Sequence, residues 1–245
     1  MLLLLRSLIL ALMLITLFVF SLLYCLVRPM HRNNVFVLSR PFSWCAAILG
    51  IRVEIRHAER AQTPPCIFVA NHQNNFDLFT HSKAMIPGTV TLGKRSLMWI
   101  PLFGQIYWLS GNIMINRKNR ATAVETLTKT AQRIRDEKLS VWIFPEGTRS
   151  RGRGMLPFKS GAFHTAITAK VPVVPIVASC QGDIKLNRWN NGTVVVEVLE
   201  PIDTSALTAA DAKPLAKQVQ QQMAAKFTEL NQQLGRTTEL TNDQL

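Results

Sequence analysis

Asn71-His72-Gln73-Asn74-Asn75-Phe76-Asp77 sets a histidine and an aspartate five positions apart, directly after the apolar run 66–70. A neutral imidazole oriented by a carboxylate can take a proton from an alcohol near neutral pH. On one continuous helix, residues i and i+5 would point roughly 140° apart, so the pair cooperates only if the chain turns between them. Asn74, Asn75 and Asp77 are residue types that make turns and begin helices. A plain loop histidine beside a helix-capping aspartate has the same spelling, so the pair gains meaning only from its company. That company is cationic. Lys94 follows the apolar run 90–92, Arg117 follows 113–115, and Pro145-Glu146-Gly147-Thr148-Arg149 follows 141–144. Arginine forks and a mobile lysine suit a phosphate monoester, and Gly147 would let backbone N–H groups approach an anion closely. Glu146, a like charge beside a phosphate, would rather accept from a hydroxyl or brace an arginine, and a purely structural role is equally open. Arg151, Arg153 and Lys159 extend the basic strip, and for Arg151 and Arg153 a solvated face or a lipid-headgroup contact is the plainer reading. There is no G-x-S-x-G elbow and no cysteine beside His72. This favours direct attack by a substrate hydroxyl over an acyl-enzyme, with oxyanion donors expected near Gly147 or at a helix start.

The elements that must position these groups follow from periodicity. Residues 51–56 alternate apolar and charged, as a half-exposed strand does, and 66–70, 141–144 and 171–177 are continuously apolar, as strands buried on both faces are. Residues 90–92 and 113–115 are shorter candidates. Alternation around Glu197 marks 193–199 as an edge strand. Val124, Leu127, Ala131 and Ile134 share one face of a helix over 119–137, with Glu125 and Lys129 paired outside it. Leu215, Val219, Met223, Phe227, Leu230 and Leu234 stripe a packing helix near the C-terminus. Strands alternating with helices imply an α/β domain with a largely parallel central sheet flanked by helices. In such a sheet the segments after the strands share one rim, where ligands bind.

With 245 residues and a formal charge of +13, the chain suits one sizeable domain and an anionic partner, either nucleic acid or an anionic membrane. The N-terminus favours membrane. Residues 7–27 are 21 uncharged, Leu/Ile/Phe-rich positions, enough for a bilayer core that takes ~20. They are too long, and end too unlike a cleavage site, for a signal peptide. Arg28, His31, Arg32 and Arg40 follow it against Arg6 before it, placing the bulk of the chain in the cytoplasm. Residues 35–49, apolar but interrupted by Pro41, could form a second, interfacial helix that turns the pair back onto one leaflet. The expected organisation is an anchor over 1–50, an α/β domain over 51–235 and a polar tail over 236–245. Basic residues are not interleaved with stacking aromatics, which argues against nucleic acid. Cys25, Cys45, Cys66 and Cys180 have neither C-x-x-C nor zinc spacing, so no disulfide and no metal is expected, and Cys66 and Cys180 read as buried thiols.

Four blocks occur in order: Asn71-His72-x4-Asp77; Gly111-Asn112-Ile113-Met114-Ile115-Asn116-Arg117; Phe144-Pro145-Glu146-Gly147-Thr148-Arg149-Ser150; and Val171-Pro172-Val173-Val174-Pro175-Ile176. Together they resemble the motif blocks of the glycerolipid acyltransferases, and most of all the bacterial PlsC type, the 1-acyl-sn-glycerol-3-phosphate acyltransferases. The resemblance implies His72 as general base and Asp77 as its orienting carboxylate. It implies Arg117, Glu146, Gly147 and Arg149 as headgroup residues, and Pro175 as an acyl-donor or site-shaping residue. Lys94 joins them on its rim position. The family often has Asp before the second-block arginine, where this chain has Asn116. The implied reaction moves a fatty acyl group from acyl-CoA or acyl carrier protein, as co-substrate, to the sn-2 hydroxyl of lysophosphatidic acid, with no bound cofactor. Its implied site is the bacterial inner membrane, facing the cytoplasm. Rival readings are acylation of another lysophospholipid or of glycerol 3-phosphate, and a non-catalytic, membrane-tethered lipid-binding protein.

Overall fold

The structure, a computed structural model, describes residues 1–61, 65–116 and 119–236. Arg117 and the tail from residue 237 therefore lie outside the described residues. Two helices open the chain, α1 (Leu2–Val27) and α2 (Asn34–Ile48), with Pro41 inside the second. There follow β1 (Ile51–Arg56), β2 (Ile67–Ala70), α3 (Asp77–Thr80), β3 (Thr89–Lys94), α4 (Phe103–Leu109), β4 (Ile113–Ile115) and α5 (Arg120–Glu137). The chain ends with β5 (Ser140–Ile143), α6 (Gly161–Ala169), β6 (Val173–Ala178), β7 (Gly192–Val198) and α7 (Ala212–Gln233).

The strands form one sheet in the order β1-β7-β6-β2-β5-β3-β4. From β6 to β4 every pairing is parallel, so the carboxyl ends of five strands point to a common rim. β7 runs antiparallel to β6, and β1 parallel to β7. The continuously apolar segments occupy the middle: β2, β5 and β6 are buried along their whole lengths, with the Phe68 and Trp142 rings in tilted contact at 5.7 Å across the β2–β5 register. Helices α5, α6 and α7 pack on one another and on β4, β2 and β6, while α2 packs on β1, β3 and α3.

Two sequence readings change. The 193–199 segment is not an edge strand: β7 lies inside the sheet and β1 is the edge. The alternation came from Glu197, which is tolerated indoors because Lys226 reaches it at 3.3 Å and Arg56 at 4.0 Å. On α5, Ala131 and Ile134 are buried but Val124 is exposed, one turn short of the sheet. Asn119 caps this helix by accepting from Thr122 N. The α7 stripe is buried from Leu215 to Leu230, Leu234 being partly covered. All four cysteines are free, and Cys180 is partly exposed rather than buried.

Pro175 lacks a donor in the middle of a sheet, where proline is disfavoured. Its carbonyl accepts from Leu199 N, and it falls between the isolated Val173–Ile202 bridge and the β6–β7 ladder that begins at Ile176. The ladder is broken at that point in any case, so the missing N–H costs little.

α1 is held to the domain at both ends. Arg6 donates to the carbonyls of Leu186, Arg188 and Trp189, and near the other end Cys25 packs with Leu38 and Ile106, while Phe18 meets Phe103 edge-on. Arg6, Leu10, Met13, Leu17, Ser21 and Cys25 make the inward stripe. Leu5, Leu8, Leu12, Ile15, Val19, Leu23 and Leu26 make an outward one, each more than half exposed.

Candidate active site

Asn71 fastens the end of β2 to the end of β6. Its amide donates to Ala178 O at 2.9 Å and accepts from Ala178 N at 2.8 Å. The chain then turns around a carboxylate. Asp77 Oδ2 accepts from Gln73 N at 2.7 Å, from Asn74 N at 3.1 Å and from the His72 ring at Nδ1, 2.6 Å away. Asn74 Oδ1 accepts from Phe76 N at 2.8 Å, an Asx turn that launches α3. The five-residue spacing thus closes on itself, with Asp77 as the hub of its own loop. Because the carboxylate only accepts, Nδ1 carries the proton and Nε2 is left as the acceptor. Nε2 has no partner among the described residues, and the His72 side chain is about one-fifth exposed, at 20%.

The imidazole is flanked by Phe144, ring on ring at 4.1 Å and 16°. Phe144 also meets His81 edge-on. His81 is buried beside the other Asp77 oxygen, 3.9 Å from Oδ1. Burial holds its ring below the usual histidine range against the opposing pull of Asp77, so His81 stays neutral and the Asp77 charge is left to His72.

Glu146 does not face outwards. It is 4% exposed, and its two oxygens accept from His72 N at 2.6 Å and Leu156 N at 3.1 Å. Burial pushes its carboxyl up to about 7; the two N–H groups and Arg153 pull the other way, and the Asp77 charge adds to the rise. In this structure Glu146 is a brace that ties the His72 loop to the 144–156 segment, which is the structural role the sequence also left open. Two backbone bonds complete that tie, Ser150 N to His72 O and Arg151 N to Gln73 O.

Gly147 turns with φ +72°, and its N–H donates to Phe144 O. That N–H closes a turn, so it is already taken up inside the 144–147 segment. A Cβ on Gly147 would sit 3.0 Å from Lys159 Nζ, so the glycine lets the Lys159 amine close over the turn. Arg149 is exposed just beyond, and Lys94 is exposed at the end of β3, two strands from β2 on the same rim. Neither side chain has a hydrogen bond or ion pair among the described residues. Lys94 shares the rim with His72 but does not touch its cluster. Pro175 is paired with Val69 inside the sheet, three positions before the Ala178 that holds Asn71.

The sequence profile described as Acyltransferase matches residues 52–179. This chain belongs to the acyltransferase family. Among the relatives of this acyltransferase, the 1-acyl-sn-glycerol-3-phosphate acyltransferases of Salmonella typhimurium (strain LT2) and Escherichia coli (strain K12) are each 44% identical over 219 residues, covering 89% of both chains. The human 1-acyl-sn-glycerol-3-phosphate acyltransferase alpha is 37% identical over 211 residues, 84% of this chain and 75% of its own. The crystal structure of the 1-acyl-sn-glycerophosphate (LPA) acyltransferase PlsC from Thermotoga maritima shares the fold, with a TM-score of 0.67 and 21% identity over 86% of this chain and 87% of that one.

Sequence reasoning on this acyltransferase missed Phe144 as the platform for His72, and it missed the glutamines. Gln73 donates to the carbonyls of Ala178 and Ser179, and Gln181 donates to Asp77 Oδ1 at 2.8 Å. Gln73 had a local signal, lying inside the motif stretch. Gln181 had none, because its partner is 104 positions away.

Proposed function

We propose that this acyltransferase transfers a fatty acyl group from an acyl thioester to the sn-2 hydroxyl of 1-acyl-sn-glycerol 3-phosphate, giving phosphatidic acid. The observation that carries the mechanism is the 2.6 Å His72–Asp77 contact, made through Nδ1, which leaves Nε2 without a partner among the described residues. Nε2 takes the hydroxyl proton as the oxygen attacks the thioester carbonyl. The tetrahedral intermediate collapses with cleavage of the C–S bond, and the proton passes from His72 to the departing thiolate, leaving a free thiol and a neutral histidine. Lys94, Arg117 and Arg149 are assigned to the phosphate, and Lys159, whose amine closes over the Gly147 turn, is assigned with them. Glu146 keeps the His72 backbone in place, and Pro175 shapes the sheet beneath the loop. The substrate follows the printed names of the relatives. The donor, acyl-CoA or acyl carrier protein, is a co-substrate, and the basic surface suits the acidity of either.

The membrane reading follows from α1. Arg6 and Cys25 are 19 residues apart, about 28 Å along a helix, close to a hydrocarbon core of ~30 Å. A helix bound to the domain over that length cannot cross the bilayer without dragging the domain in. It lies instead along one leaflet, its Leu5–Leu26 stripe in lipid, next to exposed Met98, Trp99, Ile100, Leu102 and Trp108 around α4. The surface assigned is the cytoplasmic face of the bacterial inner membrane.

The decisive experiment is an acyl-transfer assay with both donors against lysolipids with and without the terminal phosphate and against glycerol 3-phosphate. Turnover confined to the phosphate-bearing lysolipid is expected, and equal use of a phosphate-free acceptor would overturn the substrate. His72→Ala with normal turnover would overturn the mechanism.

A further inference from the structure

Asp77 has two carboxylate oxygens, and the proposed reaction engages only Oδ2. Oδ1 faces the segment after β6, where Gln181 Nε2 donates to it at 2.8 Å. Gln181 is 1% exposed, and its other polar atoms are fixed as well. Oε1 accepts from Thr80 Oγ1 at 3.1 Å, the backbone N–H donates to Gln73 Oε1 at 2.9 Å, and the carbonyl accepts from Asn74 Nδ2 at 3.2 Å. The orientation of the amide follows from its partners, since a carboxylate accepts and the Thr80 hydroxyl can donate. We propose that Gln181 is a positioning residue for acyl transfer: its amide grips Asp77 from the side opposite His72 and sets the carboxylate plane on which the imidazole is aligned. The inference rests on the reading of His72 as the base.

Packing alone does not call for an amide here. A buried polar group is a liability unless its bonds are made, and an apolar side chain of equal length would fill the same volume. His81 does not substitute for it, because 3.9 Å is beyond hydrogen-bond reach. Gln181 is thus the side-chain donor at bonding distance from Oδ1 among the described residues. It also links three separate pieces: α3 through Thr80, the His72 loop through Gln73 and Asn74, and the end of β6 through its own backbone. A carboxylate held by its own loop alone would still bond His72. Held from both sides, it cannot swing, and neither can the ring.

The test is Gln181→Met, which keeps the length and removes the donor. The expected result is a kcat lowered roughly ten- to a hundredfold, the scale on which small misplacements act, with both KM values within about twofold of wild type. The acid limb of the kcat–pH profile should also move to higher pH, because the His72–Asp77 pair with one donor fewer keeps a proton longer. The titratable groups facing Asp77 are His72, His81 and Glu146; all three remain in the variant, so the displacement reports the lost amide. Thr80→Val, which frees the amide oxygen, should shift kcat in the same direction by less, and should add nothing in the Gln181→Met background. Thermal unfolding establishes that each variant is folded. If Gln181→Met does not fold, Thr80→Val decides, and an unchanged kcat there overturns the proposal. A folded Gln181→Met with wild-type kcat and acid limb overturns it too, as does a loss of kcat matched by an equal rise in KM. His72→Ala in the same assay separates the two ideas. If it retains turnover, the base is wrong. If it is inactive while Gln181→Met is normal, only the role of Gln181 falls.

Discussion

The His72 cluster and the outer face of α1 are opposites. Around Asp77 four donors converge on one buried carboxylate, and the side chains nearby are tied from both sides. Along α1 seven large apolar side chains stand in a row, spaced three and four apart, each more than half exposed among the described residues. The first region is finished by the chain itself, which is what preorganised proton transfer requires. The second is left open, an apolar stripe that is costly in water and that the proposed membrane docking would cover with lipid. An enzyme acting on an amphiphile needs both kinds of surface. Because they share no residue, each can be broken while the other is left intact.

His72→Ala should show this separation most strongly. Turnover should fall by roughly 10²–10⁴, while binding to lysolipid vesicles, measured by co-sedimentation, stays as in wild type. The reverse experiment is the triple change Leu8→Gln, Leu12→Gln, Ile15→Gln. Three buried aliphatic side chains at about 1.5–3 kcal/mol each predict vesicle affinity down by well over tenfold, with turnover on a water-soluble short-chain acceptor preserved. If that soluble turnover falls equally, α1 belongs to the site and the contrast is false. Arg149→Ala should raise the KM for the lysolipid about tenfold with little effect on kcat, because it removes a two-pronged contact present before and during the reaction.

The smallest expected effect tests how inward-facing the first region is. The folded carboxyl of Glu146 lies near 7, above its ordinary 4.5, through burial. The folded state therefore binds the extra proton between those values, and the contribution of this group to stability is fully present below about pH 4.5 and is lost as pH rises through about 7. Melting temperature should fall across that window, and Glu146→Gln should flatten the slope. An equal slope in the variant would mean that Glu146 is not the group titrating.

Much of the scaffold could be read along the chain. The bounds of β1 and β4, the extent of α5 to within a residue and the buried character of β2, β5 and β6 all follow from local periodicity. β7 was misread because alternation cannot distinguish a glutamate facing water from one facing Lys226 and Arg56. For Glu146 the sequence left a hydroxyl, an arginine or a structural role open, because the partners of its two oxygens, backbone N–H groups in the His72 loop and at Leu156, are set by the fold. The pairing of His72 with Asp77 was legible, but the circuit that makes the turn was not.

By itself, then, the sequence determined where the seven strands, α1, α5 and α7 run and which polar residues follow the strands. These are short-range facts, written in spacings of two and three to four residues. Only the tertiary structure decided which way Glu146 points, that Gln181 bonds Asp77, and that α1 divides into a face packed on the domain and an exposed apolar face. Those partners lie 74 to 183 positions apart. They are chosen by strand order and by which surfaces are left to cover, and no local pattern encodes either.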